Sequence, residues 1–415
     1  MAEVQAFEIG VAQNCLQLAN KFASHIFRKY HEYNEIRVIF YRYDLNTSLK
    51  EATRSSRLCG EVPVYYRITD TTPTTKLKMK TLLSHGKTKD ELSVYLSAKL
   101  LNHGKLYNHP IVVSYRDLCE ASNGDVQHLC SNHEEADTKL ILHAVDATQS
   151  GATHIDIYSD DTDVLVLVVR RAKMMTPHPR FISKTRTIDV DLLYDYLGSD
   201  ISAALPAFHA ISGADITGSF SRKGKLTCWA AFTSCPKSAI EAFKKLGTTQ
   251  DHPNEDVISG IEKFVCKLFD RKTNLETVDE LRWVMFKKKQ AHSEELPPTK
   301  SALIQAILRA HYQLIVWNND IVANPELPSP LNFGWCLEDD KFCPVMTTNP
   351  PAPDAIMSLV KCKCSKSKCS KSSRCSCANA NPPLPCTDLC ECEDCTNKED
   401  ERDTLSEESV QEEDY

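Results

Sequence analysis

Apolar residues recur at helical spacing over residues 5–28 (Leu16, Leu18, Phe22, Ile26, Phe27), and the pattern switches to strand-like alternation over 37–43. Residues 44–90 are polar and rich in Thr, Lys and Arg, which predicts helical or mobile surface elements. Residues 111–114 read as a short strand, 132–149 as an amphipathic helix and 154–158 as a strand. The aliphatic run 164–169 fits either a strand or a buried helix, and its β-branched residues favour a strand on propensity. Residues 181–184 read as another strand and 189–211 as helix, so the alternation predicts a mostly parallel sheet flanked by helices. After Gly247 the pattern is all-helical, with helices predicted over 257–269, 278–289 and 300–317. Pro325, Pro328, Pro330, Pro344, Pro350, Pro351 and Pro353 then break helical continuity and predict a linker. The resulting layout is an α/β domain over 5–250, a helical region over 251–320, a Pro-rich linker over 321–360, a Cys-rich module over 361–396 and a tail over 397–415.

Composition alters this picture only when it is divided by region. The 415 residues are 25% charged and 42% hydrophobic, which fits globular domains and excludes a collagen-like or wholly disordered chain. The formal charge is −7, but from Asp388 onward thirteen acids face two bases, leaving about +4 for everything before. The tail has few apolar residues and reads as disordered and acidic. Acids stand where a signal peptide would carry bases, and the longest aliphatic run is six residues against the roughly 20 needed to span a bilayer. The expectation is a soluble intracellular protein with reduced thiols, no membrane partner and no evident small-molecule substrate.

Nine of the eighteen cysteines fall between Cys362 and Cys395: Cys362, Cys364, Cys369, Cys375, Cys377, Cys386, Cys390, Cys392 and Cys395. Spacers of one or two residues place thiolates close enough to share a metal, and zinc suits all-sulfur tetrahedral sites. An odd count leaves a thiol over in any disulfide scheme. Three tetrahedral zinc ions need twelve ligand positions, which nine thiolates fill if three of them bridge. Lys361, Lys363, Lys366, Lys368, Lys371 and Arg374 are interleaved with no acid, offsetting the cluster's negative charge and offering phosphate contacts. The segment is similar to the CXC domain of the tesmin family. That resemblance implies a trinuclear zinc module that binds DNA, although Arg374 stands where sequence-reading members carry tyrosine and only one copy is present.

Acids gather at three further places: Glu134-Glu135-Ala136-Asp137, Asp160-Asp161-Thr162-Asp163 and Gly213-Ala214-Asp215. Each lies where a predicted element begins or ends, the edge at which α/β folds build sites. Clustered carboxylates repel unless a cation lies among them, and oxygen donors suit Mg²⁺ or Mn²⁺, a pair of which can cleave phosphodiesters. Each motif alone also reads as a helix cap, a turn or a helix exit. Glu135 and Asp137 diverge on a regular helix and serve one site only if Glu135 stands at its opening.

In order and together, the motifs resemble the PIN-like domain of the flap endonuclease (XPG-type) family. The resemblance implies a metal-binding role for Glu135, Asp137, Asp161, Asp163 and Asp215. It also implies a duplex-binding turn within Gly213 to Lys225. The chain departs from that family in starting at the helix after its first strand, and in carrying Phe40-Tyr41-Arg42 where an aspartate ligand belongs. The combination also looks like a group of animal proteins of mobile-element origin. Histidines in metal-site spacing, Walker A, G-x-G-x-x-G and G-x-S-x-G patterns are all missing from the sequence. The readings are a nuclear, otherwise cytoplasmic, DNA-binding protein with an impaired nuclease-like domain; an active two-metal DNA nuclease; or a chromatin-binding protein or mobile-element remnant without catalysis.

Overall fold

The computed structural model describes residue 4, residues 12–45, 47–50, 62–75, 78–175, 178–289 and 295–348, and residues 362, 364, 369, 375, 377–379, 386, 390, 392 and 397; of 288 and 289 it describes the backbone. The chain divides into two compact units, Met1–Met346 and Thr347–Tyr415.

The first unit opens with α1 (Cys15–Lys29). Asn14 caps it by accepting from the Gln17 N–H, and Leu18, Phe22 and Ile26 line its buried stripe. Strand β1 (Ile36–Ile39) follows, then the single turn α2 (Met79–Leu82) and the long α3 (Gly86–Tyr107). The latter packs on the fully buried β2 (Ile111–Tyr115). A Cβ on Gly104 of α3 would lie 2.5 Å from Ile111 Cγ2, so only glycine permits this approach. Strand β2 pairs parallel with β1, Ile36 against Ile111, and antiparallel with β3 (Leu118–Ala121).

Helix α4 (Ala136–Gln149) leads to β4 (Asp156–Tyr158), and α5 (Thr162–Arg171) to the pair β5 (Arg180–Ile182) and β6 (Thr187–Asp189). Strand β5 runs parallel to β4 and antiparallel to β6. Helix α6 (Val190–Ile211) is broken at Gly198, whose φ is +78°. The remaining helices are α7 (Lys225–Phe232), α8 (Lys237–Lys245), α9 (Glu255–Phe269), α10 (Val278–Lys289) and α11 (Lys300–Asn318). Val164, Leu167, Phe208, Phe232, Phe264, Ile307 and Trp317 belong to one core that joins α5 and α6 to this helical stack.

Mixed α/β architecture holds, but the mostly parallel sheet does not: two small three-stranded sheets each combine one parallel and one antiparallel pairing. The run 164–169 is helical, against its strand propensity. Asp161 supplies the N-cap and Val164, Leu167, Val168 and Val169 pack into the core with Leu165 against it, and together these outweigh a β-branched preference of a few tenths of a kcal/mol per residue. The helix expected over 132–149 starts only at Ala136. The Pro-rich stretch is structured up to Met346 rather than forming a plain linker. It carries the hairpin β7 (Trp335–Glu338) and β8 (Lys341–Pro344), with Phe333 and Trp335 buried and Arg309 of α11 donating to Gly334 O and Val345 O. No helix is long and apolar enough to cross a membrane among the described residues.

Candidate functional site

The acidic motifs do meet. Glu135 is the N-cap residue of α4, extended at φ −85° and ψ 135°, while Asp137 stands in the first helical turn. The change of backbone direction between them cancels the divergence a continuous helix would impose, and both carboxylates reach one point. Asp161, following β4, caps α5 by accepting from the Asp163 N–H at 3.0 Å, and Asp163 lies in that helix's first turn. Asp215 arrives from the loop after α6.

The group shared by Glu135, Asp137 and Asp215 is an ammonium, with Asp161 and Asp163 within its electrostatic reach. Lys50 Nζ lies 3.2 Å from Glu135 Oε1, 3.3 Å from Asp215 Oδ2 and 3.9 Å from Asp137 Oδ2, and the residue is only 6% exposed. Burial alone would push this amine down, but Glu135, Asp137 and Asp215 more than offset it and hold the pKa above the ordinary lysine value. Lys50 is therefore a fixed cation. Asp137 is moved the other way: burial holds its carboxyl well above the usual range, with Glu135 adding to the rise and Lys50 opposing it.

The remaining donors are directed at the same carboxylates. Tyr41, just past β1, donates to Asp137 Oδ2 at 2.6 Å, so the residue standing where a ligand acid was expected is a hydrogen-bond donor in the cluster. Burial, then Asp137 and Glu135, raise its phenol well above the ordinary value, so it stays a donor. Trp317 of α11 donates to Glu135 Oε2 at 3.3 Å. His209 of α6 bonds Asp163 Oδ1 through Nε2 at 2.8 Å. Lys225 Nζ in turn donates to the His209 carbonyl at 2.8 Å and Ser212 Oγ at 2.9 Å, and lies 3.3 Å from His209 Nδ1. Burial pushes the Asp163 carboxyl up, but the His209 hydrogen bond and charge overcome it, leaving Asp163 below the usual carboxylate value.

Tested against a pair of divalent ions, this donor set does not fit as arranged. Glu135, Asp137 and Asp215 already share an internal cation, Asp163 is engaged by His209, and an ion entering among them has to displace Lys50. The chemistry the arrangement offers is charge storage: several carboxylates held close by one ammonium and a ring of N–H and O–H donors. Sequence reasoning found the five acids and missed Lys50, His209, Lys225 and Trp317. Lys50 lies in a polar stretch without periodicity, so no local signal marks it as buried.

The second unit is built from sulfur. Cys362, Cys364, Cys369 and Cys375 form one set of four thiols whose Sγ atoms all lie within 4.8 Å of one another. Cys362, Cys386, Cys390 and Cys392 form another, and Cys362, Cys375, Cys377 and Cys386 a third. Cys362 Sγ is 3.9 Å from Cys369 Sγ and Cys386 Sγ and 3.6 Å from Cys392 Sγ, and Cys377 Sγ is 3.6 Å from Cys390 Sγ. A tetrahedron with Zn–S bonds of ~2.3 Å has edges of ~3.8 Å, whereas a disulfide needs ~2.05 Å. The thiols therefore stand at metal-sharing distance. Sharing is built in, since Cys362 belongs to all three sets and Cys375 and Cys386 to two each. The Cys362 N–H points at Cys390 Sγ, the Ala378 N–H at Cys375 Sγ and Asn397 Nδ2 at Cys386 Sγ, each at 3.4 Å, and such donors stabilise thiolate charge. Cys395 and the six bases Lys361, Lys363, Lys366, Lys368, Lys371 and Arg374 lie outside the described residues.

Fold and sites thus define a mixed α/β unit with a lysine-centred acidic cluster, and an all-cysteine unit with metal-sharing geometry. Comparison of the chain with family models, with curated proteins and with solved structures finds no match.

Proposed function

We propose that this chain is a zinc-dependent DNA-binding protein of the nucleus whose α/β unit is a PIN-like, flap-endonuclease-related scaffold that does not turn over. The observation that carries the catalytic half is the Lys50 ammonium within 4 Å of three carboxylates that a two-metal nuclease needs for Mg²⁺ or Mn²⁺. Tyr41 supports it, because a phenol donating to Asp137 supplies no carboxylate ligand. The binding half rests on the thiol sets, on the fit of nine cysteines to three zinc ions, and on six bases interleaved with those cysteines without an acid. Contacts from such bases go to phosphates, so affinity is weakly sequence-specific and falls steeply with salt.

The test uses the zinc-loaded full chain. Duplex DNA is bound at low salt, binding is lost on chelating zinc or deleting residues 361–395, and flapped or branched DNA stays intact in Mg²⁺ or Mn²⁺. Failure to bind any duplex at low salt removes the binding half. Metal-dependent cleavage that disappears in Asp161→Asn replaces the non-catalytic reading with the nuclease reading.

A further inference from the structure

Among the described residues, helix α10 exposes an aromatic pair that neither site uses. Trp283 is 57% and Phe286 51% exposed, and their rings lie at an interplanar angle of 18° with centroids 6.3 Å apart. Lys287 Nζ sits 4.6 Å from the Trp283 ring centroid, and the helix ends in the sequence Lys287-Lys288-Lys289. The acids of the helix, Asp279 and Glu280, are confined to its first turn.

The opposite face anchors the helix. Val278 and Leu281 are buried and Met285 packs against the main core. The Val278 N–H donates to the buried Glu262 at 2.9 Å, and Arg282 donates to the Pro297 carbonyl. The two rings thus project from a helix that is anchored to the core by its other face.

We propose that the Trp283–Phe286 face of α10 is a stacking platform for single-stranded nucleic acid. Unstacked bases lie against the rings while Lys287 supplies positive charge for the phosphates. Charge complementarity selects this occupant. An ammonium over the indole has to be dehydrated in a bilayer or in an apolar protein interface, whereas beside a phosphate backbone it gains a counter-charge. The platform goes beyond the zinc-dependent duplex reading, because it lies in the first unit and requires no metal.

The probe is a short oligothymidylate, titrated against the zinc-loaded full chain. Of the four tryptophans, Trp283 alone is exposed, since Trp317 and Trp335 are buried and Trp229 is partly so. Fluorescence quenching by the oligomer therefore reports directly on the platform. Quenching is expected at low salt and reverses as salt is raised. The double variant Trp283→Ala/Phe286→Ala is expected to bind oligothymidylate at least ~tenfold more weakly, read by anisotropy of a labelled oligomer, with duplex binding unchanged. An abasic oligomer of the same length binds native and variant chains equally. Lys287→Glu, which leaves both rings in place, weakens oligothymidylate binding on its own. Equal affinity of the native chain and the double variant for oligothymidylate overturns the proposal, as does an effect seen only with phosphatidylserine vesicles. Lost duplex binding with retained oligothymidylate quenching sinks the zinc reading and leaves the platform standing.

Discussion

Lys50 decides the character of the acidic cluster, and its removal is the most informative single change. In metal-free buffer Lys50→Met leaves buried carboxylates without their cation, a loss of about 3–5 kcal/mol for a broken buried pair. The expected result is a lowered melting temperature that Mn²⁺ partly restores, while the native chain melts at the same temperature with or without Mn²⁺. An unshifted melting curve for the variant would show that Lys50 is not the stabilising counter-ion. His143 of α4 reports burial of another kind. It is 2% exposed, both ring nitrogens lack a hydrogen-bond partner, and burial followed by the nearby Arg37 pushes its pKa down from 6.5 to about 3. The unfolded chain therefore takes up the proton first as pH falls. Its contribution to stability is complete above about pH 6.5 and is withdrawn toward pH 3, at up to ~1.4 kcal/mol per pH unit. Compared with the native chain, His143→Leu should show a shallower fall of melting temperature between pH 6.5 and 4, and equal slopes would count against this role.

At the scale of elements, close helix packing sets the positions of the donors around the cluster, since α6 brings His209 and α11 brings Trp317. Gly260 is the contact point between α9 and α8: a Cβ there would lie 2.3 Å from Ala242 Cβ. Gly260→Ala gains up to ~1 kcal/mol of helix propensity but loses ~1–3 kcal/mol to overpacking. A lower urea midpoint with an unchanged m-value is expected. A midpoint that rises would mean the two helices separate at no cost. The run 164–169 makes the same point from the sequence side. Its residue types favour a strand, and it is a helix because Asp161 caps it and the core accepts it on almost every side.

For the whole molecule, the division into two units has a direct thermodynamic consequence. All four tryptophans lie in the first unit and the thiol sets in the second. Chelating zinc should abolish the second unit's fold while leaving the tryptophan emission and its melting transition in place. Sharing grades the cysteines: Cys362 belongs to three sets and Cys364 to one, so Cys362→Ser should lose more zinc per chain by native mass spectrometry than Cys364→Ser. Equal zinc content in the two variants would refute the shared-ligand arrangement.

The sequence by itself determined the thiol array, the five acids, the helices over 278–289 and 300–317, and the mixed α/β class. Each of these is written in spacing or periodicity along a short stretch of chain. Only the tertiary structure decided that a lysine from a featureless polar segment stands among those acids. It alone also decided that Tyr41, His209 and Trp317 donate to them, and that an aliphatic run with strand propensity becomes a buried helix. The physical reason is range. Backbone propensity and ligand spacing act over a few residues, whereas Lys50 and Glu135 are 85 positions apart and meet only after the core has formed. An ammonium's partner is chosen by the field of the folded protein, and that field has no local signature in the sequence.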